Sequence, residues 1–357
     1  QHPRDHRIAH DAHALCVRDQ DRSADDAGLF DPDRARHLAV AIADGVAAED
    51  SAQVLAAAWQ YRGHAGAHRS FADFERLFSG QFPGYLGCDT VYHDMQHSLD
   101  DTLAMARLLA GYERTHSPEQ RLGADRALLG IIVGLFHDSG YIRQSDDTQH
   151  RNGAEFTRTH VMRGAHFLAR YLPAIGLANW VPVATQVIHF TGYEVPFKDI
   201  RLDDARDRRV GHLLGTADML AQMSDRCYLE KCRDRLYPEF VLGGVAMQRE
   251  DNGGLKVQYG SGLDVLRQTP QFFEYTMRTR LDGEFDGAYR YVESLYGGRN
   301  PYMEAINRNL AYLTRVLETS NWNMLRRSPP VFTWEKNPLE TVRSLVIRHI
   351  RTAVEAT

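Results

Sequence analysis

The sequence has few cysteines, and they form no recognisable pattern. Its 357 residues contain four, with neither a CxxC pair nor a dense framework. They are Cys16, Cys88, Cys227 and Cys232. This usage argues against a disulfide-stabilised domain and favours a reducing compartment, in which thiols stay free. We therefore expect a cytoplasmic protein.

Long apolar runs and an excess of one charge are also missing. No apolar run approaches the roughly 18 residues that cross a bilayer, and the chain starts polar, so we expect neither a transmembrane helix nor a signal peptide. Because the chain begins at Gln1 rather than Met, a removed leader or an upstream domain stays open. The formal net charge of −5, with Lys and Arg spread along the chain, argues against duplex nucleic acid as a partner and allows a small anionic substrate.

Strand signals are equally scarce. Only the short runs 240–242 and 256–259 alternate convincingly, and the Gly-rich segment 243–262 is expected to form a loop or hairpin. That segment lacks the strand-then-helix context of a phosphate loop. The sequence therefore predicts an all-α protein, a multi-helix bundle with flanking N- and C-terminal helices.

Helical spacing of apolar residues divides the chain into four parts. These are a polar arm (1–28), an N-terminal helical extension (29–87), a core (88–237), and a C-terminal loop and helices that complete the bundle (238–357). The individual helices are predicted over 31–46, 52–61, 97–112, 125–136, 156–172, 182–189, 210–236, 272–277, 289–295, 302–316 and 339–356.

The core contains histidines in unusual settings. His93 and His97 are one helical turn apart, so on a helix they would share a face. That spacing suits a shared metal, or one ligand and one proton donor. The apolar stretch 127–136 then leads directly into His137 and Asp138. A buried imidazole and carboxylate need partners, and a cation satisfies both at once.

Further polar residues lie within apolar helical stretches of the core. A carboxylate on the apolar face around Asp218 would be costly unless it bound something. Nitrogen and oxygen ligands without thiolates suit a divalent metal such as Mn, Fe, Ni or Zn, with Mg possible at an oxygen-rich position. The full set is His93, His97, His137, Asp138, His160, His189 and Asp218.

The order of these residues resembles the HD superfamily of metal-dependent phosphohydrolases. The match lies at His97, His137-Asp138 and Asp218, and the resemblance covers roughly residues 88–230. YHDMQHSLD (92–100) resembles the Tyr-His-Asn-x-x-His-Ala-x-Asp signature of the 3′,5′-cyclic nucleotide phosphodiesterases. HVMRGA (160–165) and TADMLAQMSDRCY (216–228) resemble the HD-GYP branch, which hydrolyses cyclic di-GMP.

The resemblance implies an HD-type catalytic core with two divalent cations bridged by Asp138. The cations would neutralise the phosphodiester and generate a hydroxide near pH 7. His93 would protonate the departing 3′ oxygen, or would itself be a ligand if the site follows the HD-GYP geometry. The implied ligands are His97, His137, Asp138 and Asp218 for the first metal, with His160 and His189 helping to hold the second.

Two further residues are candidates for supporting roles. Asp100, or its neighbour Asp101, could orient an imidazole, and Arg143 could contact the phosphate. Arg143 as a solvated loop residue is the alternative. Tyr141 stands where the HD-GYP proteins have a lysine, which argues against strict cyclic di-GMP specificity.

The expected function is therefore hydrolysis of a cyclic nucleotide or cyclic dinucleotide by a metal-dependent phosphodiesterase. Two alternatives stay open: a nucleotide phosphomonoesterase, and a degenerate HD module that binds a nucleotide and signals through the flanking helices. Metal content and turnover separate these classes. The sequence leaves the metal, the base preference and the oligomeric state open.

Overall fold

Helices supply almost all the regular structure of the chain. The computed structural model describes residues 64–249 and 254–355, so the predicted arm and the predicted helices over 31–46 and 52–61 lie outside the described residues. The structure is 67% helical, and its described part contains 11 α-helices and one two-stranded sheet. The predicted all-α bundle is confirmed. Among the described helices, none combines the length and apolar character needed to cross a bilayer.

The α-helices are connected by turns, short 3₁₀ and π helices, and some longer segments. They are α1 (His64–Phe78), α2 (Met95–Thr115), α3 (Ala124–Phe136), α4 (His160–Ala174), α5 (Val181–Val187), α6 (Ala205–Ser224), α7 (Tyr228–Lys231), α8 (Tyr237–Leu242), α9 (Gly262–Tyr275), α10 (Pro301–Thr319) and α11 (Pro338–Glu355). Short 3₁₀ helices include Ser139–Tyr141, Ile188–Thr191 and Ala288–Leu295, and π-helical turns cover Cys232–Leu236 and Thr276–Glu284.

Three helices form the centre of the bundle. α2 packs against α3 and α6, and α3 also packs against α6. α3 is buried at every position from Ala127 to Phe136, as its uninterrupted apolar sequence predicts. His97 lies near the start of α2, His137 follows the end of α3, and Asp218 lies within α6. The packing of these helices therefore brings the predicted ligands together.

Gly111 has a different role from the helix stop that its position predicts. α2 continues to Thr115. A Cβ atom at Gly111 would lie 2.0 Å from the Tyr291 carbonyl oxygen. The glycine is thus needed because the 3₁₀ helix Ala288–Leu295 crosses α2 in backbone contact, and that segment packs extensively on α2.

The predicted helix over 210–236 is interrupted. α6 ends at Ser224 and α7 begins at Tyr228. The Asp225 side chain accepts a hydrogen bond from the Cys227 backbone N–H (2.8 Å), which stabilises a turn between the two helices. The prediction of one continuous helix is wrong. The helical spacing of apolar residues continues through this turn and therefore does not reveal it.

The predicted strand over 240–242 is instead part of α8. Pro238 lies in the first turn of this helix, where its fixed φ favours helix formation. Val241 and Leu242 pack in an apolar cluster with Val342 and Val346 of α11. The predicted hairpin is confirmed: β1 (Met247–Arg249) pairs antiparallel with β2 (Leu255–Val257).

A segment near the C-terminal end, residues 329–334, crosses the start of α2, and we call it the C-terminal strap. The Phe332 backbone N–H donates to Asp94 Oδ2 (3.0 Å), and its carbonyl accepts from the Met95 N–H (3.2 Å). The Trp334 N–H donates to the Cys88 carbonyl (3.1 Å). The strap therefore forms backbone contacts with the segment that leads into α2.

Candidate metal centre

Two histidines meet at the start of α2. The Asp94 side chain caps the helix by accepting a hydrogen bond from the His97 backbone N–H (3.1 Å). His97 therefore lies in the first turn, whereas His93 lies just before the helix. The helix begins at Met95, two residues before the predicted start at His97, and His93 lies outside it, so the two histidines do not share a helical face. Their rings are still neighbours, with centroids 5.5 Å apart.

The end of α3 carries an imidazole and a carboxylate into the interior. His137 and Asp138 are 1% and 2% exposed. His137 Nδ1 lies 2.7 Å from the Gly134 carbonyl oxygen and 3.6 Å from Asp101 Oδ2. Because Nδ1 donates to this carbonyl, Nε2 is the nitrogen left for another partner.

The ligand atoms of the central cluster lie close to one another. Asp138 Oδ2 is 3.3 Å from His97 Nε2 and 3.2 Å from His137 Nε2. Asp218 Oδ1 is 3.5 Å from His97 Nε2 and also accepts from Gln222 Nε2 (3.2 Å). One nitrogen or oxygen atom from each of His97, His137 and Asp138 lies within 4.8 Å of the others.

These buried atoms fit a metal ion. His137 Nε2 and Asp138 Oδ2 lie 3.2 Å apart as an ion pair, but neither atom has a hydrogen-bond partner of good geometry among the described residues. Such atoms are costly unless something satisfies them, and a divalent cation bound by both would do so. The buried group formed by His97, His137 and Asp138 could therefore hold a metal ion, as the sequence predicts, with Asp218 beside it.

His160 approaches the other oxygen of Asp138. It is the first residue of α4, and its Nδ1 lies 2.8 Å from the Thr157 carbonyl oxygen. Its Nε2 lies 3.9 Å from Asp138 Oδ1. The two oxygens of Asp138 therefore face different imidazoles, since His97 and His137 lie near Oδ2.

His189 is less closely associated with Asp138 than His160 is. It lies on the 3₁₀ helix Ile188–Thr191 and is partly buried. Its Nδ1 has no hydrogen-bond partner among the described residues, and the side chain does not line the cavity described below. Its role as a ligand of a second metal stays a prediction.

The two supporting residues have other partners in the structure. Asp100 accepts a hydrogen bond from Gln96 Nε2 (2.8 Å), whereas its neighbour Asp101 is the one that lies against His137. Arg143 donates to Asp89 Oδ2 from Nε (3.1 Å) and from a terminal nitrogen (2.9 Å). Arg143 does not line the cavity, so its expected phosphate contact has no support in this geometry.

Glu239 of α8 is a site residue that the sequence did not reveal. Its fully buried carboxylate accepts hydrogen bonds from the backbone N–H groups of Val91 and Tyr92, both at 2.6 Å. Its second oxygen lies 2.5 Å from His93 Nδ1. The available signal was a glutamate beside an apolar run, and that run was predicted to be a strand.

Tyr141 is the second residue whose role was missed. Its ring is 2% exposed and stacks on two imidazoles. The centroid lies 4.5 Å from that of His93, at an interplanar angle of 17°, and 4.3 Å from that of His160, at 18°. The sequence marked this position only as a departure from the HD-GYP pattern.

A cavity of about 530 Å³ opens above these groups. Its polar end contains the clustered histidines and aspartates. Arg158 is the only Arg or Lys among the described lining residues, and Gln268 also lines the cavity. Other lining residues are apolar and aromatic and come from α8, the segment after β2, and α9: Phe240, Tyr259, Val265 and Phe272.

Burial and charge set the protonation states of the site. Burial lowers the pKa of His97 and brings that of His160 to about 4, so both imidazoles are neutral at pH 7. Burial alone would raise the pKa of Asp138, but His137 and His93 outweigh it and the pKa is lowered. Neutral imidazole and ionised carboxylate are the forms that bind metals.

His137 and Asp218, by contrast, have raised pKa values. Burial alone would lower the pKa of His137, but the carboxylates of Asp138 and Asp101 outweigh it and raise the pKa. Burial raises the pKa of Asp218 to about 6. A cation bound at this position would favour loss of both protons, because metal binding and protonation compete for the same atoms.

Comparison with known proteins finds no relative of this chain. No family model, no curated protein and no solved structure matches the chain. The residues themselves therefore define the class of protein: an all-α bundle with a buried His-His-Asp group that could hold a metal ion.

Proposed function

We propose that this protein is a metal-dependent phosphodiesterase of the HD superfamily that hydrolyses a cyclic nucleotide or a cyclic dinucleotide. The observation that carries the proposal is the cluster of His97, His137 and Asp138, which lies at the polar end of a substrate-sized cavity beside a separately held imidazole, His93. The order of these residues in the sequence, which resembles that superfamily, supports the same function.

Divalent cations would be held by the groups that face each other across Asp138. His97, His137, Asp138 and Asp218 would hold the first, and Asp138 Oδ1 with His160, helped by His189, would hold a second. Mn, Fe, Ni, Zn and Mg are compatible with this nitrogen and oxygen set. The bound metal supplies charge neutralisation of the phosphodiester and a nucleophile near pH 7.

His93 is suited to donate a proton to the leaving oxygen. Its Nδ1 is bound to Glu239, which leaves Nε2 for another partner. The position of His93 beside the cluster, with its ring 5.5 Å from that of His97, puts a donor next to the place where the phosphate would bind. The aromatic wall of the cavity, with the stacked pair Phe240 and Tyr259, suits a nucleobase.

Metal analysis together with a hydrolysis screen tests the proposal. The purified protein is assayed with added Mn²⁺ on cAMP, cGMP, cyclic di-GMP, bis(4-nitrophenyl) phosphate and nucleotide monophosphates. We expect about two metal ions per chain and turnover of a diester. Turnover of monophosphates alone would make the protein a phosphomonoesterase, and the absence of both metal and turnover would favour a nucleotide-binding module.

Single substitutions connect metal and activity. His137→Ala and Asp138→Ala should each lose the bound metal and reduce diester turnover by at least about 10³-fold, because each removes a ligand. His166→Ala, at an exposed position of α4, is the matched control and should keep both. Full activity in either ligand variant would end the proposal.

A further inference from the structure

Tyr141 is the one aromatic ring that stacks on both His93 and His160 among the described residues. The two imidazoles belong to different parts of the proposed site: His93 is the proton donor, and His160 faces Asp138. Their centroids lie 6.2 Å apart, so neither ring stacks on the other. A single buried side chain thus contacts the faces of both.

Each imidazole is already fixed at one nitrogen. His93 Nδ1 is bound to Glu239 Oε2 (2.5 Å), and His160 Nδ1 to the Thr157 carbonyl oxygen (2.8 Å). One hydrogen bond fixes a point of the ring but allows the ring plane to rock about that bond. A stacked neighbour restricts this motion, because tilting the imidazole would bring it into the Tyr141 ring.

The position of the Tyr141 ring is itself tightly set. Tyr141 ends the 3₁₀ helix that follows Asp138, and its backbone N–H donates to the Asp138 carbonyl (3.0 Å). The preceding Gly140 allows this turn to contact α4, since a Cβ there would lie 1.7 Å from the His160 carbonyl oxygen. The ring is therefore carried by the same backbone that carries the proposed bridging carboxylate.

We infer that Tyr141 is a positioning residue: its ring holds the His93 imidazole in the orientation needed for proton donation and holds the His160 imidazole towards Asp138. This inference rests on the proposed function for what His93 does. In this role Tyr141 touches neither the proton nor the leaving group, and it acts through the two histidines.

Paired substrates with different leaving groups separate positioning from general support of the fold. Phenolate is a poorer leaving group than 4-nitrophenolate, so hydrolysis of diphenyl phosphate depends more on proton donation than hydrolysis of bis(4-nitrophenyl) phosphate. Tyr141→Leu should therefore lower kcat for diphenyl phosphate by at least about tenfold more than kcat for the nitrophenyl ester. Tyr141→Phe keeps the ring and should keep the wild-type ratio of the two rates.

Tyr302→Leu is the matched control. Tyr302 is a buried tyrosine of α10 that bonds to Arg107 and does not line the cavity. Its loss should destabilise the fold but leave the ratio of the two rates unchanged. Equal losses on both substrates in Tyr141→Leu, or no loss on either, would overturn the inference.

A double-mutant cycle with His93→Ala tests whether Tyr141 acts through His93. In the His93→Ala background, Tyr141→Leu should change the ratio of the two rates less than about twofold, because the group that it positions is gone. If Tyr141→Leu changed the ratio in the His93→Ala background as much as it does in the wild-type background, Tyr141 would act by another route. That result would contradict the inference.

A spectroscopic readout keeps the inference testable apart from activity. In Mg²⁺-loaded protein, the Nδ1–H resonance of His93, bound to Glu239, should be observable in the wild type and in Tyr141→Phe and exchange-broadened in Tyr141→Leu. An unchanged resonance in Tyr141→Leu would overturn positioning by Tyr141. If no diester is turned over by the wild type, the proposed function fails while this measurement still decides whether the ring holds the imidazole.

Discussion

At the scale of single residues, three of the imidazoles of the site share one arrangement. Each uses Nδ1 for a fixed acceptor, so that Nε2 is left for a metal or a substrate, and such outer contacts determine which tautomer is present. The acceptor is a carboxylate in one case and a backbone carbonyl in the other two. The pairs are His93 with Glu239, His137 with Gly134, and His160 with Thr157.

The carboxylate partner distinguishes His93 from the other two. Burial alone would lower the pKa of His93, but Glu239 and Asp138 outweigh it and raise the pKa. His93 therefore stays protonated to a higher pH than an ordinary histidine, as a proton donor must. The direction of this shift separates the proposed donor from His97 and His160, whose pKa values are lowered, but not from His137, whose pKa is also raised.

Replacing Glu239 with Gln tests this difference. The amide can still accept the two backbone hydrogen bonds, but the charge that raises the pKa of His93 is lost. We expect the alkaline limb of the pH profile of kcat to move to lower pH, because the donor loses its proton earlier, and kcat at pH 8 to fall by about 10- to 100-fold. Glu230→Gln, a buried glutamate of α7 that contacts Arg327, should leave the profile in place.

Sequence reasoning could find the candidate ligands but not the residues that hold them in place. His137, Asp138 and Asp218 stand out because polar residues within apolar helices need a partner. Glu239 and Tyr141 carry no such local signal. Glu239 meets His93 across 146 positions of the chain, and the stacking of Tyr141 depends on how α4 packs against the turn after α3. Contacts of that kind follow from tertiary packing rather than from local spacing.

At the scale of elements, α6 is held against the segment after α5 by a cluster of rings. His212 lies among Phe190, Phe197 and Phe285, with centroid distances of 5.7 to 6.3 Å. Neither of its ring nitrogens has a hydrogen-bond partner in the described part of the chain. Burial, helped by the positive charges of Arg209 and Arg208, lowers the pKa of His212 to about 4.

This histidine should make the packing of α6 sensitive to acid. With a folded-state pKa near 4 and an unfolded value near 6.5, the unfolded state binds more protons between these limits, so stability falls as the pH falls from 6.5 to 4. His212→Phe should remove up to about 3 kcal/mol of that loss. Urea unfolding at pH 7 and pH 4.5 measures this loss of stability in the wild type and in His212→Phe. The exposed His166→Gln variant should keep the wild-type pH dependence. If the free energy of unfolding fell equally between pH 7 and pH 4.5 in the wild type and in His212→Phe, His212 would not be the source of the acid sensitivity.

Most helices could be predicted, and the errors have local physical causes. α3 was predicted to within one residue because its apolar sequence leaves no other stable arrangement. The break between α6 and α7 was missed because it depends on a hydrogen bond from the Cys227 backbone N–H to the Asp225 side chain. α8 was mistaken for a strand because a short apolar run has no decisive period, and its packing on α11 settles the conformation.

At the scale of the whole molecule, distant parts of the chain hold the start of α2 in place. The strap donates a backbone hydrogen bond to Asp94, the residue that caps α2. Arg235 donates to carbonyl groups of the strap at Pro329 and Pro330. α11 packs on α8, which carries Glu239. The C-terminal part therefore supports both His97, a candidate metal ligand, and His93, the proposed proton donor.

Phe332→Pro tests the contribution of the strap. Proline removes the N–H group that bonds to Asp94, whereas Phe332→Ala keeps it, so the alanine variant is the matched control. We expect the proline variant to be less stable than the alanine variant by about 1–3 kcal/mol in urea unfolding and to bind Mn²⁺ more weakly. Equal stability and equal metal affinity in the two variants would show that the strap does not support the site.

The strap also has a consequence for biosynthesis. Phe332 reaches Asp94 across 238 positions of the chain. At a translation rate of about 5–20 residues per second, the ribosome needs roughly 12 to 48 s to add the intervening residues. During this time the nascent chain lacks the segment that bonds to the start of α2, so we expect the proposed metal site to be complete only after the strap has left the ribosome.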